Sequence, residues 1–586
     1  MSDPQLVLAA RVQAAIVDAF GVEFAHTDPV IRPSQFADLQ ANAALPLAKR
    51  LRERPRDVAD EIVKRLDVEG VCSSVEVSGP GFINLTLADE WIARQATPLL
   101  ADGARAGVPL TDRPEIIPVD YSAPNVAKEM HVGHLRTTVV GDAFCRAAEF
   151  RGHKVIRQNH IGDWGTPFGM LIEHLLDIGE EEAAAELQSD PNRFYQAARA
   201  KFDASDKGEN DSDFAKRARK RVVLLQSGDE ATLTIWRRMV DMSKVYFNRI
   251  YAELDVTLSD ADLAGESRYN NMLGAVCDDL YEQGIAVVDD GALCVFLDGF
   301  TGREGKPVPL IIRKSDGGYG YATTDLAALR HRAQDLHADR VVYVIGAPQG
   351  LHLRMVFETV RKAGWLGRTE PFHAAIGNVL GTDGKILRTR SGAPIRLAQL
   401  LAEAVERAAK VIEDRGYDAE TRAEIAQAVG IGAVKYADLS VARDSEYVFD
   451  FDRMIALTGN TGPYLQYASA RIRSIFRLAG SSPEAVVSTP ITITHPAERA
   501  LVLHLLGFGA AIDAMVEDVA PHKLASYLYG VADALTGFYE NCPVVKGPDG
   551  PVPEEVRTPR LAICALALNT LVTGLGLLGI TVPERM

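Results

Sequence analysis

Residues 120–136 read Asp-Tyr-Ser-Ala-Pro-Asn-Val-Ala-Lys-Glu-Met-His-Val-Gly-His-Leu-Arg, and this stretch decides the architecture. His131 and His134 stand three apart with Gly133 between them. Leu135, Val139, Ala143 and Ala147 then recur at the spacing of an amphipathic helix. The pair therefore falls at or just before a helix N-terminus, where free backbone N–H groups and the positive dipole end favour phosphate. The spacing puts both rings on one side, and a glycine lets a flat base approach the backbone. Anion site, imidazole donors and missing side chain together point to an ATP site. On spacing alone, a metal pair or two ordinary surface histidines stay open, although no third ligand follows in a recognisable metal pattern.

Working outward, residues 116–121 read as a buried strand, the helix is expected to run to about Arg151 with Gly152 as its stop, and residues 154–157 read as the next strand. That is a βαβ unit of a doubly wound sheet, whose ligands bind beyond the strand C-termini. Residues 341–346 are an apolar run suited to a central parallel strand. A helical pattern over 352–363 and a strand over 374–379 follow, ahead of the loop Gly381-Thr382-Asp383-Gly384-Lys385.

The flanks differ in pattern. Residues 1–112 suggest an α+β module, with helices over 6–20 and 46–66, the second interrupted near Pro55. Strands over 75–77 and 82–87 flank the turn Ser78-Gly79-Pro80-Gly81. Residues 166–255 are mainly helical, and the charge run over 196–222 reads as a solvated face in preference to an RNA contact. Residues 285–325 return to strands and turns, and beyond about 400 the signals are helical almost throughout. The fold expected is multidomain α/β plus α: a Rossmann-like parallel-sheet domain with insertions, an N-terminal α+β module and a C-terminal all-α bundle.

With 586 residues the chain is too long for one ordinary core. Its 63 basic and 79 acidic residues give a net charge of −16, which argues against nonspecific coating of DNA but not against RNA recognition by a local basic face. The six cysteines, at 72, 145, 277, 294, 542 and 564, make no C-x-x-C pair and read as small buried residues in a reducing cytosol. The start Met-Ser-Asp-Pro-Gln lacks a basic region followed by an apolar core, so secretion is not expected. Residues 561–582 carry no charge and are long enough to span a bilayer. Asn569, Thr570, Thr573 and three glycines within them favour a buried closing helix over a membrane span.

The string Pro-Asn-Val-Ala-Lys-Glu-Met-His-Val-Gly-His over residues 124–134 resembles the HIGH signature of class I aminoacyl-tRNA synthetases, in the form found in arginyl-tRNA synthetases. The resemblance extends to His160-Ile161-Gly162-Asp163-Trp164-Gly165-Thr166-Pro167-Phe168-Gly169 and to Gly320-Tyr321-Ala322-Thr323-Thr324-Asp325-Leu326-Ala327. It continues through residues 444–452 and 459–468, which are similar to that family's junction into an anticodon-binding domain. It implies a catalytic domain over 113–400, with insertions over about 166–325. It also implies an N-terminal tRNA-contact module over 1–112, a stem-contact junction over 401–454 and a helical anticodon-binding domain over 455–586.

The implied reaction joins arginine to tRNA(Arg) through an arginyl-adenylate, with AMP and pyrophosphate as products and first esterification at the 2′-OH of the terminal adenosine. ATP enters as a substrate with Mg²⁺, and no zinc is expected. The resemblance assigns His131, His134, Lys128, Lys385 and Arg388 to catalysis. Pro124, Val132 and Gly133, with His131, His134 and Lys385, would bind ATP. The second class I signature is imperfect: in Lys385-Ile386-Leu387-Arg388-Thr389 an arginine replaces the second lysine, and Lys128 is the implied substitute.

Arginine's planar, permanently charged guanidinium calls for carboxylates in forked geometry. The resemblance points to Asp120 and Asp325 for that end, with Tyr321 one helical turn before Asp325. Ser122, Asn125, His134 and Gln349 would complete the amino-acid pocket. From the residues alone, Asp325 could be an N-cap, Tyr321 a core hydroxyl, and Asp163 and Asp383 either Mg²⁺ partners or loop residues. Tyr464, Tyr467 and Arg471 are the implied tRNA contacts, with Arg473, Arg477, Tyr527 and Tyr529 of suitable chemistry. A cytoplasmic monomer is the family's usual form. The rival readings are another HxGH nucleotidyltransferase acting on a small metabolite, and a non-enzymatic RNA-binding scaffold.

Overall fold

The computed structural model describes residues 3–204, 213–302, 305–315, 317–388, 395–413, 416–548 and 550–586. Thr389 of the second signature loop and residues 205–212 of the charge run lie outside the described residues.

Four parallel strands form the central sheet, in the order Glu370–Ile376, Arg340–Gly346, Ile116–Asp120, Lys154–Gln158. Ile117, Val119, Val341, Val342 and Val344 on the two inner strands are at most 1% exposed, as a sheet covered on both faces requires. Helix Val132–Phe150 links one inner strand to its outer neighbour on one side. Helix Gly350–Lys362 does the same on the other. The strand order therefore reverses between Ile116–Asp120 and Arg340–Gly346. The crevice for a ligand opens beyond Asp120 and Gly346.

Between the two inner strands the chain inserts the helices Pro167–Ile178, Glu180–Ser189, Pro191–Asp203, Asp213–Gln226 and Glu230–Glu253, then an antiparallel sheet of Ala286–Asp289, Ala292–Thr301 and Pro307–Arg313. The charge run here is more than a solvated face. Arg217 and Arg221 both bond Glu173, which is buried on the neighbouring helix. A buried carboxylate needs such partners, so these cations hold helix to helix.

The N-terminal module is an antiparallel sheet, ordered Ile31–Pro33, Leu39–Ala41, Phe82–Leu87, Cys72–Ser78, packed against helices. The single interrupted helix expected over 46–66 is two helices, Ala44–Leu51 and Pro55–Val63. Arg52 takes a left-handed φ of 59°, which ends the first, and Pro55 opens the second at a position where its missing N–H costs nothing. The C-terminal part is helical. Its final helix, Glu554–Leu577, buries Leu561, Ile563, Leu566, Leu571 and Leu575 inside the bundle, so the uncharged run serves as core. Arg499 ties this bundle to the N-terminal module, donating to both oxygens of Asp38 at 2.8 and 2.7 Å and to Asp89 at 2.6 Å.

Candidate active site

His131 is the N-cap of helix Val132–Phe150, and its Nδ1 accepts the Gly133 N–H at 3.1 Å. His134 answers from the third helical position, its Nδ1 accepting the His131 N–H at 3.1 Å. Each ring thus spends its lone pair on the backbone, which places the proton on Nε2 in both neutral rings. The result is two Nε2–H donors on rings whose centroids lie 4.0 Å apart. This corrects one expectation. The first-turn N–H groups are not free for phosphate, because the imidazoles and the Ile395 carbonyl, 3.1 Å from the Val132 N–H, already take them. Gly133 has a further reason to be glycine: a Cβ there would stand 2.8 Å from His131 Cε1. Burial first, then the Lys128 charge, pushes the His131 pKa down. Burial, reinforced by His131, pushes His134 down to about 3. Both rings are neutral at physiological pH.

The loop entering this helix is held in costly backbone. Ser122, Ala123 and Ala127 have φ of 69°, 47° and 59°, the left-handed region that L side chains resist. Four contacts hold it: Ala123 N–H to Asn159 Oδ1, Ala127 N–H to Ser243 Oγ, and a reciprocal pair linking Pro124, Val126 and Gly162. A Cβ on Gly162 would fall 2.3 Å from Asn125 Oδ1, so glycine there lets Asn125 sit exposed at the crevice.

Helix Tyr321–Gln334 begins at a Gly320 cap. Asp325 is therefore not a cap, and Tyr321, 71% exposed, is not a core hydroxyl. Asp325 Oδ2 lies 2.6 Å from His352 Nε2, and Oδ1 lies 3.8 Å from His160 Nε2. The Tyr321 and His352 rings meet at 5.4 Å. Gln349 is exposed on the turn after strand Arg340–Gly346.

Two of the expected pocket residues are buried and bonded within the chain. Asp120 is 3% exposed and bonds Arg332 Nη2 at 2.9 Å, with that guanidinium over the Tyr343 ring at 5.1 Å. Ser122 is equally buried, bonded to the Tyr251 hydroxyl at 2.8 Å and to Thr138 Oγ1 at 3.0 Å. Each has a partner within the chain, although the buried Asp120 Oδ1 accepts no hydrogen bond among the described residues. Asp163 is also internal, its carboxylate accepting the Ser267 N–H at 2.9 Å and the Ser267 hydroxyl at 2.6 Å. Asp383 accepts the Lys385 N–H at 3.1 Å, a loop role.

Sequence reasoning assigned nothing to Arg332, His160, His352 or Glu266. Burial raises the Glu266 pKa to about 7; Asp163 and Asp325 add to the rise and His160 opposes it. Lys385 and Arg388 lie exposed on the loop after strand Val379–Leu380. In the bundle, the Tyr464 hydroxyl shares a hydrogen bond with Thr536 at 3.0 Å, Tyr467 is half-buried, and the Arg471 guanidinium lies 3.4 Å from the Tyr539 centroid. Among the described residues no group of three or more His, Cys, Asp or Glu side chains could hold a metal ion.

Residues 95–451 match the family described as tRNA synthetases class I (R), catalytic domain. The chain belongs to the arginyl-tRNA synthetase family. Residues 6–87 match the arginyl tRNA synthetase N terminal domain and 465–586 the DALR anticodon binding domain. The arginine–tRNA ligase of Thermobifida fusca is 67% identical over 589 residues, with all of both chains covered. That of Streptomyces avermitilis is 48% identical, with 99% of each covered. The crystal structure of the Plasmodium falciparum arginyl-tRNA synthetase superposes with a TM-score of 0.82 at 29% identity, covering 99% of both chains. The architecture is thus a class I catalytic domain with a parallel sheet, an N-terminal domain and a C-terminal helical DALR domain.

Proposed function

We propose that the crevice beyond Asp120 and Gly346 activates arginine with ATP and passes it to tRNA(Arg). The chain is read as an arginine–tRNA ligase. The observation that carries the reading is the pair of Nε2–H donors on the helix that follows strand Ile116–Asp120; a partly buried Asp325 close to His160 and His352, one helical turn after the exposed Tyr321, supports it. The first suits a triphosphate; the second suits a guanidinium.

In this reading His131 and His134 donate to the triphosphate of Mg-ATP, and Pro124, Val132 and Gly133 form the surface under the nucleotide. The arginine carboxylate attacks the α-phosphorus in line, and pyrophosphate leaves. The protein's task is positioning and charge stabilisation, since little covalent work falls to it. Asp325, Tyr321 and Gln349 take the guanidinium end, with Asn125 toward the α-amino and carboxylate end. Asp120 and Ser122 would complete the amino-acid pocket from its buried side. The terminal adenosine's 2′-OH then attacks the adenylate carbonyl and AMP departs. Residues 1–112 would meet the tRNA elbow, 401–454 its stem and 455–586 its anticodon, with Tyr464, Tyr467 and Arg471 among the contacts. The protein would act as a cytoplasmic monomer.

Lys128 supplies the charge that Arg388 does not. Lys128→Ala therefore lowers adenylate formation more than Arg388→Ala in pre-steady-state measurements; the reverse order removes the assignment. Esterification of tRNA(Arg) with labelled arginine, ATP and Mg²⁺ tests the whole reading. No charging by the folded protein would reject it. Arginine-dependent ATP–pyrophosphate exchange is expected to need tRNA, and robust exchange without it would contradict that element.

A further inference from the structure

Lys128 has an unusual partner. Its Nζ stands 4.4 Å from the centre of the Tyr195 ring, and among the described residues no carboxylate lies within ion-pair distance of it. Tyr195 belongs to the inserted helix Pro191–Asp203, far from the histidines in sequence. That helix is fastened to the segment carrying Lys128. Asn192 Oδ1 accepts the Glu129 N–H at 3.1 Å, and its Nδ2 donates to Glu129 Oε2 at 2.8 Å. Arg396 bridges the Glu129 carboxylate at 2.9 Å and the Asp190 carboxylate at 3.1 Å. Phe194, next to Tyr195, is fully buried, with its ring 4.9 Å from that of His174.

These contacts divide the work. The carboxylate nearest Lys128 in sequence, that of Glu129, is taken by Arg396 and Asn192 and does not capture the ammonium. A carboxylate partner would cancel much of the lysine's charge. An aromatic face attracts the cation through its quadrupole and leaves the charge available to a phosphate. It also restrains a four-carbon stem with many rotamers, so less freedom is lost when ATP arrives.

We infer that Tyr195 is a positioning residue for adenylate formation, its ring face holding the Lys128 ammonium beside the paired histidines. The inference rests on the proposed action of Lys128 on the triphosphate, and the test separates the two. Adenylate formation is measured in single turnovers with the full-length protein, tRNA, arginine and saturating ATP. The set comprises the parent, Tyr195→Phe, Tyr195→Leu, Tyr195→Met, Lys128→Ala, and Tyr195→Leu combined with Lys128→Ala. Phenylalanine keeps the face, so its rate stays within about twofold. Leucine and methionine lower the rate roughly 3- to 30-fold, the span expected for losing a cation–π contact. They leave the KM for arginine unchanged. In the Lys128→Ala background the leucine substitution has no further effect, which a general packing defect would not mimic. A full rate in Lys128→Ala defeats the reading of Lys128, and this inference with it. A slow Lys128→Ala alongside a Tyr195→Leu at the parent rate or faster, or one whose loss persists without Lys128, overturns the role of Tyr195 alone.

Discussion

Asp120 and Asp325 stand near the same crevice and carry the same charge, yet they live in opposite circumstances. Asp120 ends an inner strand, 3% exposed, with Arg332 already at 2.9 Å. Asp325 sits in the first turns of a helix, half-buried, with two imidazoles beside it and Tyr321 exposed one turn earlier. Whether a carboxylate serves the fold or a ligand depends on whether the chain itself brings the cation. At Asp120 it does. At Asp325 the resident neighbours are two imidazoles and no Arg or Lys among the described residues.

Substitutions can break this contrast. Arg332→Ala leaves Asp120 buried and uncompensated, a loss of about 3–5 kcal/mol of stability. Denaturant unfolding should show it, and adding Asp120→Asn should recover much of the loss. If Arg332→Ala folds with parental stability and loses only arginine binding, the two carboxylates are partners after all. Asp325→Asn is expected to do the opposite. It lowers kcat/KM for arginine about 100-fold or more, the usual consequence of removing one side of a charged hydrogen-bonded pair. The unfolding midpoint and the KM for ATP should barely move.

A third, smaller effect sharpens the picture. Burial raises Glu266 to about 7, so near pH 7 about half of it is protonated in the free protein. A guanidinium held at Asp325 brings a cation close and lowers that pKa, so arginine binding releases protons, at most about half a proton per site near pH 7. Calorimetry in buffers of different protonation heat measures it, and Glu266→Gln should abolish it. The sign for stability follows by linkage. A carboxyl raised in the folded state contributes stability that is complete below the ordinary glutamate range and is lost as pH rises through about 7.

The parallel sheet was legible because inner strands buried on both faces read as continuous apolar runs, as in residues 341–346. The histidine-bearing helix was legible from spacing. Its self-made cap was not, since the rules for N-caps favour Ser, Thr, Asp and Asn, and a histidine pair looked like an open helix end. The fate of Asp120 was hidden for another reason. Its partner lies 212 residues away, across an insertion, and no local pattern marks Arg332 as its counter-ion. His160 and His352 reach Asp325 from separate elements for the same reason. Tyr321 and Asp325 were readable together because one helical turn joins them.

The locked imidazoles have a consequence for turnover. With burial holding both rings uncharged, they offer direction without formal charge. A pair of imidazolium ions would grip pyrophosphate most tightly once it had become a separate, more anionic product. Neutral donors help the bond break and then let the debris go.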